Sequence, residues 1–234
     1  MGPKPARIAA FLVALLVAQP ATAQDRVIGL LTLPEVFGNE ACERFTPQRV
    51  PLHDAPNGAE LGWIGVEQYW SFAAHGGCEG LEVRVHRGRE QSELPTREHA
   101  YEAPAAIVLG QQGGWFKIRL AEGAAWVNAT SRDEFKPLAA LFDQALTEIT
   151  EHFTGRLRSA PGGAFIGDRF AERKTVNVLE VRQVGAAQWL HVEVLDISLC
   201  TAPVGKEPQV IARGWMPAHA DSGEPTVWFS SRGC

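Results

Sequence analysis

The sequence predicts a mainly-β protein made of two small β-barrels joined by one amphipathic helix. Three observations carry that prediction. Short runs of alternating apolar and polar residues recur between turn signals, and 23 glycines and 15 prolines supply the turns. An ordered set of turn, Trp-led strand and second Trp occurs twice. One segment holds the 3.6-residue apolar period of a helix over several turns. The 234-residue chain is 45% hydrophobic and 21% charged, a globular composition that excludes a disordered or collagen-like chain. Its net charge of -5 argues against a nucleic-acid binder that works by bulk charge.

Residues 1–23 read as a signal peptide. Lys4 and Arg7 form a basic start, residues 8–18 are apolar, Pro20 breaks the run, and Ala21-Thr22-Ala23 gives a small-x-small cleavage pattern. The apolar run is too short to span a bilayer, and no later stretch is long enough, so no membrane span is expected. The mature chain is expected to start near Gln24, in the periplasm or secreted. Export changes the reading of Cys42, Cys78, Cys200 and Cys234, because an even count in an oxidising compartment suggests two disulfides. Three pairings are open. Cys42–Cys78 with Cys200–Cys234 is favoured because each pair then lies within one half of the chain.

The halves repeat each other. Residues 52–58 and 157–163 both read L-x-x-A-P-x-G, a turn in which Pro presets φ and Gly accepts a positive one. Each copy is followed by an alternating strand led by a Trp, residues 115–120 and 189–194, and then by a further Trp, Trp126 and Trp215. The spacings differ, so insertions are expected. The first domain is placed at 24–130 with an insert around 65–112, the second at 155–234. Between them, Phe135, Leu138, Leu141, Phe142, Ala145, Leu146, Ile149 and Phe153 follow the helical period, so a linking helix is expected over 131–154. Ser131 and Glu134 have capping-box spacing, Pro137 suits a first helical position, and Gly155 is a natural stop. Residues 175–181 alternate until Val178 and Leu179, where the phase slips and a bulge is expected.

The segments around 50–58, 60–64, 113–118 and 122–127 follow the strand, turn and closing Gly-x-Trp-Val order of bacterial SH3-like domains, which this chain resembles. The second copy matches more loosely, through Gly214-Trp215-Met216-Pro217. That resemblance implies small five-stranded barrels in an exported protein that binds peptides, often those of the cell wall, or positions a partner catalytic domain.

Chemistry of other kinds is thin. No Gly-x-Ser-x-Gly elbow, CxxC pair or phosphate-cradling Gly loop is present. No third metal ligand accompanies His99 and Glu102 or His219 and Asp221, so neither cofactor nor metal is expected. Tryptophan is the unusual feature, with seven residues. In residues 115–120 the strand phase puts Phe116, Ile118 and Leu120 on the core face and Trp115, Lys117 and Arg119 on the other. Residues 189–194 repeat this, with Leu190, Val192 and Val194 inward and Trp189, His191 and Glu193 outward. A large aromatic among polar neighbours is a candidate binding platform. The expected site is therefore Trp115 and Trp189, with Tyr69 and Trp70 as a further aromatic pair and Asp54, Lys117 and Glu193 as polar contacts. The reading is a non-catalytic binder of an extended peptide, with peptidoglycan stem peptide the first candidate. The alternatives are an envelope scaffold that binds another protein through the insert or the helix, and a small hydrolase or metal enzyme.

Overall fold

A computed structural model describes residues 25–37, 49–68, 81–129, 134–143, 146–170, 173–198 and 200–233. The signal peptide expected over residues 1–23 lies outside them.

The described residues form two antiparallel sheets. The first half contributes β1 (Gly29–Leu31), the one-turn α1 (Pro34–Phe37), β2 (Arg49–His53), β3 (Glu60–Gln68), β4 (Leu81–Arg87), β5 (Glu90–Glu93), β6 (Thr96–Ala100), β7 (Ala103–Gln112), β8 (Trp115–Arg119), β9 (Ala124–Asn128) and β10 (Phe135–Pro137). After the one-turn α2 (Leu138–Leu141) come β11 (Thr147–Ile149), β12 (Arg156–Arg158), β13 (Phe165–Arg169), β14 (Thr175–Val184), β15 (Ala187–Leu195), β16 (Val210–Pro217) and β17 (Val227–Phe229).

Seven strands recur in one order. The first sheet runs β10-β1-β7-β8-β9-β2-β3 and continues into β4 and β5, with β6 beside β7. The second runs β17-β11-β14-β15-β16-β12-β13. The match extends to register. Lys117 faces Trp126 as His191 faces Trp215, and the second Trp of each copy then faces the residue after the turn Leu, His53 or Arg158. A bulge interrupts β7–β8 between Val108 and Gly110, and its counterpart interrupts β14–β15 between Val178 and Glu180, where the alternation slips in the sequence. The strands β4, β5 and β6 have no counterpart in the second sheet, so they are the insertion; β7 answers to β14.

The long joining helix is absent, and the two-barrel arrangement around it is corrected with it. Two sheets stand in its place, and the only helices among the described residues are two single turns. The segment expected to be helical splits into the last strand of one unit, β10, the turn α2, and the first strand of the next, β11. Of its apolar positions Leu138, Leu141, Phe142, Ile149 and Phe153 are buried, while Phe135 and Leu146 are half-buried and Ala145 lies outside the described residues. Their period misled because a strand, a turn and a strand can bury the same positions as a helix. Strand pairing decides the outcome. β1 offers β10 a ladder from Gly29↔Pro137 to Leu31↔Phe135, and β11 lies between β14 and β17. Thr147, Ile149 and Thr150 are β-branched and suit that setting. The backbone carbonyl of Glu134 accepts from the Thr32 amide (2.9 Å), so the expected capping-box residue serves a strand end.

Two cores meet along β1 and β7. Leu31, Ala106 and Val108 face the first core, with Leu52, Ile64, Phe116, Ile118 and Val127. Leu30, Ala105 and Ile107 face the other way and join Leu157, Val176, Leu190, Val192 and Met216 of the second. Both faces of these strands are thus covered, which explains the unbroken apolar run of residues 105–109. Each fully buried Leu or Ile contributes about 1.5–3 kcal/mol, so the contact between units is part of the fold.

Candidate functional site

The Trp-led strands behave as their alternation predicts. Phe116 and Ile118 are buried while Trp115, Lys117 and Arg119 are half-buried on the opposite face; Leu190, Val192 and Val194 are buried while Trp189, His191 and Glu193 are not. The two units therefore present equivalent outer faces, but those faces are furnished differently.

In the first unit the face is occupied by neighbouring chain. Lys117 Nζ pairs with both oxygens of Asp25 (2.6 and 2.7 Å), and Arg119 pairs with Glu224 (2.5 Å). Asp25 and Glu224 arrive together because the Val27 amide donates to the Gly223 carbonyl (3.1 Å). Gly223 has φ +84, and a Cβ there would collide with the Asp25 carbonyl oxygen, so glycine is required at this approach. His219 Nε2 donates to the Val27 carbonyl (2.7 Å) beside it, and burial pushes the imidazole pKa below its ordinary value. Trp115 stands edge-on to His53, ring centroids 4.9 Å apart, and its indole Nε1 donates to the Asn128 side-chain oxygen (3.3 Å). Trp115 is thus held by its own unit.

In the second unit the face carries stacked guanidinium and aromatic groups. One cross-strand row reads Phe165, Arg158, Trp215, His191, Glu180, and the next reads Pro217, Trp189, Arg182. The His191 ring stacks on Trp215 at 4.9 Å and 14°, and the Arg182 guanidinium lies over the same indole at 4.5 Å. Trp215 is only 7% exposed beneath them. Phe165 is 49% exposed, with the Arg158 guanidinium at 4.0 Å and that of Arg156 at 5.0 Å from its ring. Arg158 also lies 6.0 Å from half-buried Trp189. Arg182 is engaged by Glu180 (2.8 and 3.0 Å), and Glu193 is bonded by Arg213 and Asn177. The Arg213 hydrogen bond, with smaller help from Asn177, holds the Glu193 carboxyl below the usual carboxylate range.

The expected site residues are therefore not brought together. Trp115 and Lys117 belong to the closed face, and Trp189 and Glu193 to the other. Asp54 is exposed in the β2–β3 turn, where its amide donates to Ala59 (3.1 Å). Tyr69 and Trp70 lie outside the described residues, as do Cys42, Cys78 and Cys234. Cys200 is disulfide-bonded, and every cysteine it could pair with is outside the described residues. The loop that carries it is pinned at its base by Asp196, whose Oδ1 accepts from the Gln209 and Ile197 amides (both 2.8 Å) and whose pKa these bonds lower.

Sequence reading missed Phe165, Arg158 and Arg182. The signal was available for Arg158, which occupies the position of His53 in the repeated turn. Phe165 faces Arg158 only because β13 folds back along β12, and no local pattern announces that. Among the described residues no three His, Cys, Asp or Glu side chains are grouped to hold a metal ion. No helix among them is long and apolar enough to cross a membrane. No known protein family, no curated protein and no solved structure matches the chain.

Proposed function

We propose that this protein is a non-catalytic, exported binding module, and that it takes an extended peptide on the outer face of its second unit. The observation that carries the reading is the contrast between equivalent faces. The first is filled by Asp25 and Glu224. The second sets Trp189 and Phe165 beside arginines, with Trp215 as a rigid layer beneath. Aromatic side chains of this kind give large contact area at small entropic cost, and arginine adds planar donors that match carboxylates and peptide carbonyls. The resemblance to bacterial SH3-like domains points to the same ligand class, with peptidoglycan stem peptide as the first candidate. Co-sedimentation of the chain from Gln24 onward with purified sacculi tests it. Saturable binding that Trp189→Ala weakens and Trp115→Ala leaves within about twofold is expected. No co-sedimentation, or equal loss in both variants, would overturn it.

A further inference from the structure

We infer that the second unit's face selects ligands bearing carboxylates, through a cluster of uncompensated arginines around Phe165; this rests on the peptide-binding reading and names its ligand chemistry. Arg156 and Arg158 place two guanidiniums within 5.0 Å of one exposed ring. Arg156 also lies directly opposite Arg169 in the β12–β13 ladder. Like charges in facing positions repel and are disfavoured unless something neutralises them. Among the described residues nothing does. Every other paired arginine of the two faces has a carboxylate: Arg119 has Glu224, Arg182 has Glu180, Arg213 has Glu193. Arg156, Arg158 and Arg169 form no ion pair there, and Arg158 spends one donor on the Gly163 carbonyl (2.7 Å). Asp168, the carboxylate of β13, is exposed and makes no ion pair with them.

The arrangement is that of a built anion site. Stacking on a ring fixes a guanidinium's plane and leaves its edge donors pointing outward, which favours bidentate capture of a carboxylate. The chain as a whole carries a net charge of -5, so this is a local reversal of sign, and it will steer an acidic ligand to one end of the face. Trp189 lies 6.0 Å from the Arg158 guanidinium and faces Arg182 across the β14–β15 ladder, so a ligand anchored by its carboxylate at Phe165 would run across the indole toward Arg182. A peptide with acidic side chains supplies both parts. A phosphate- or sulfate-bearing glycan supplies only the charge.

The test is calorimetric titration of the protein with the peptide acetyl-Glu-Ala-Glu-Ala-Glu-amide, with its Gln counterpart, and with inorganic polyphosphate, at low and moderate salt. The Glu peptide should bind at least tenfold more tightly than the Gln peptide, with the difference shrinking as salt rises. The variants R156Q and R158Q should erase the preference. The double charge reversal R156E with R158E should transfer it to a Lys peptide, a gain that misfolding cannot mimic. Glu and Gln peptides binding within twofold, or polyphosphate binding far more tightly than the Glu peptide, would overturn the carboxylate assignment. If sacculi still bind in a Trp189-dependent way in that case, the face reading stands while its ligand chemistry falls. If neither peptides nor sacculi bind, both fall.

Discussion

The two units share seven strands, one order and one bulge, yet β7 of the first is buried on both faces from Ala105 to Val108, whereas β14 of the second is buried on both faces only at Thr175 and Val176. In β7, Ala105 and Ile107 face outward and are buried by the second unit. At the equivalent register of β14 stand Thr175, which is buried, and Asn177, which is exposed. The first unit's outer residues also find partners in Asp25 and Glu224. The difference teaches that duplication of a fold does not duplicate a surface. One copy became the support and the other kept an accessible face, with an arginine at the position of His53 and a phenylalanine at that of Glu60.

The largest expected effect tests whether the copies are energetically alike. Leu52 and Leu157 are the matched turn leucines, both fully buried. Leu52→Ala and Leu157→Ala should each cost about 2–5 kcal/mol in urea denaturation. Because Leu30 and Ile107 belong to the second unit's core, either variant should still unfold in a single transition. Two separated transitions would break the picture of a shared core. Next in size is ligand binding: Trp189→Ala should weaken it about tenfold or more, or ~1.4 kcal/mol, against near-unchanged binding for Trp115→Ala. Below that lies the Arg119–Glu224 pair that helps close the first face. A double-mutant cycle with Arg119→Ala and Glu224→Ala should give a coupling of about 0.5–1 kcal/mol that falls as salt is added.

Acidification should give the smallest effects. Neutral His219 donates to Val27 between Arg26, which lowers its pKa further, and Glu224, which opposes that. A lowered pKa means that the unfolded chain binds the proton first, so this contribution is complete above about 6.5 and is lost as pH falls through the folded value. The stability of His219→Gln should change less between pH 7.5 and pH 5.5 than that of the parent chain. Glu98 behaves alike at lower pH. Hydrogen bonds from Arg232 and then Ser231 bring its carboxyl from 4.5 to about 2, so the tie between the insertion and the last residues holds above 4.5 and weakens as pH falls toward about 2. Glu98→Gln should remove that acid-limb dependence in denaturation curves.

The strand phase of residues 115–120 and 189–194, the turn repeats and the slip at Leu179 were legible because each is set by contacts close in sequence. The fate of residues 135–149 was not. Leu138, Phe142 and Ile149 announce burial at a helical spacing that a strand, a turn and a strand can also satisfy, and whether they form a helix depends on the distant β1 offering an edge to β10. The aromatic half of the site was legible in Trp189. Its cationic half was not, because Arg156, Arg158 and Phe165 converge only after β13 returns along β12, and the ion pairs that occupy the first face join residues of distant strands.

The pairing of each unit's first strand with its last has a kinetic consequence. Gly29 waits for both Val108 and Pro137, and Thr147 for both Val176 and Phe229. Such pairings give a high contact order, and chains dominated by them fold slowly, with loop closure preceding any reward. Synthesis order then imposes a schedule: the first unit can seal once β10 has emerged, whereas the second stays open until β17 has emerged. Removing Val227 to Phe229 would leave Ile149, now 1% exposed, with one neighbour fewer and an unpaired edge in a half-built sheet, the sort of species that proteases and aggregation find first.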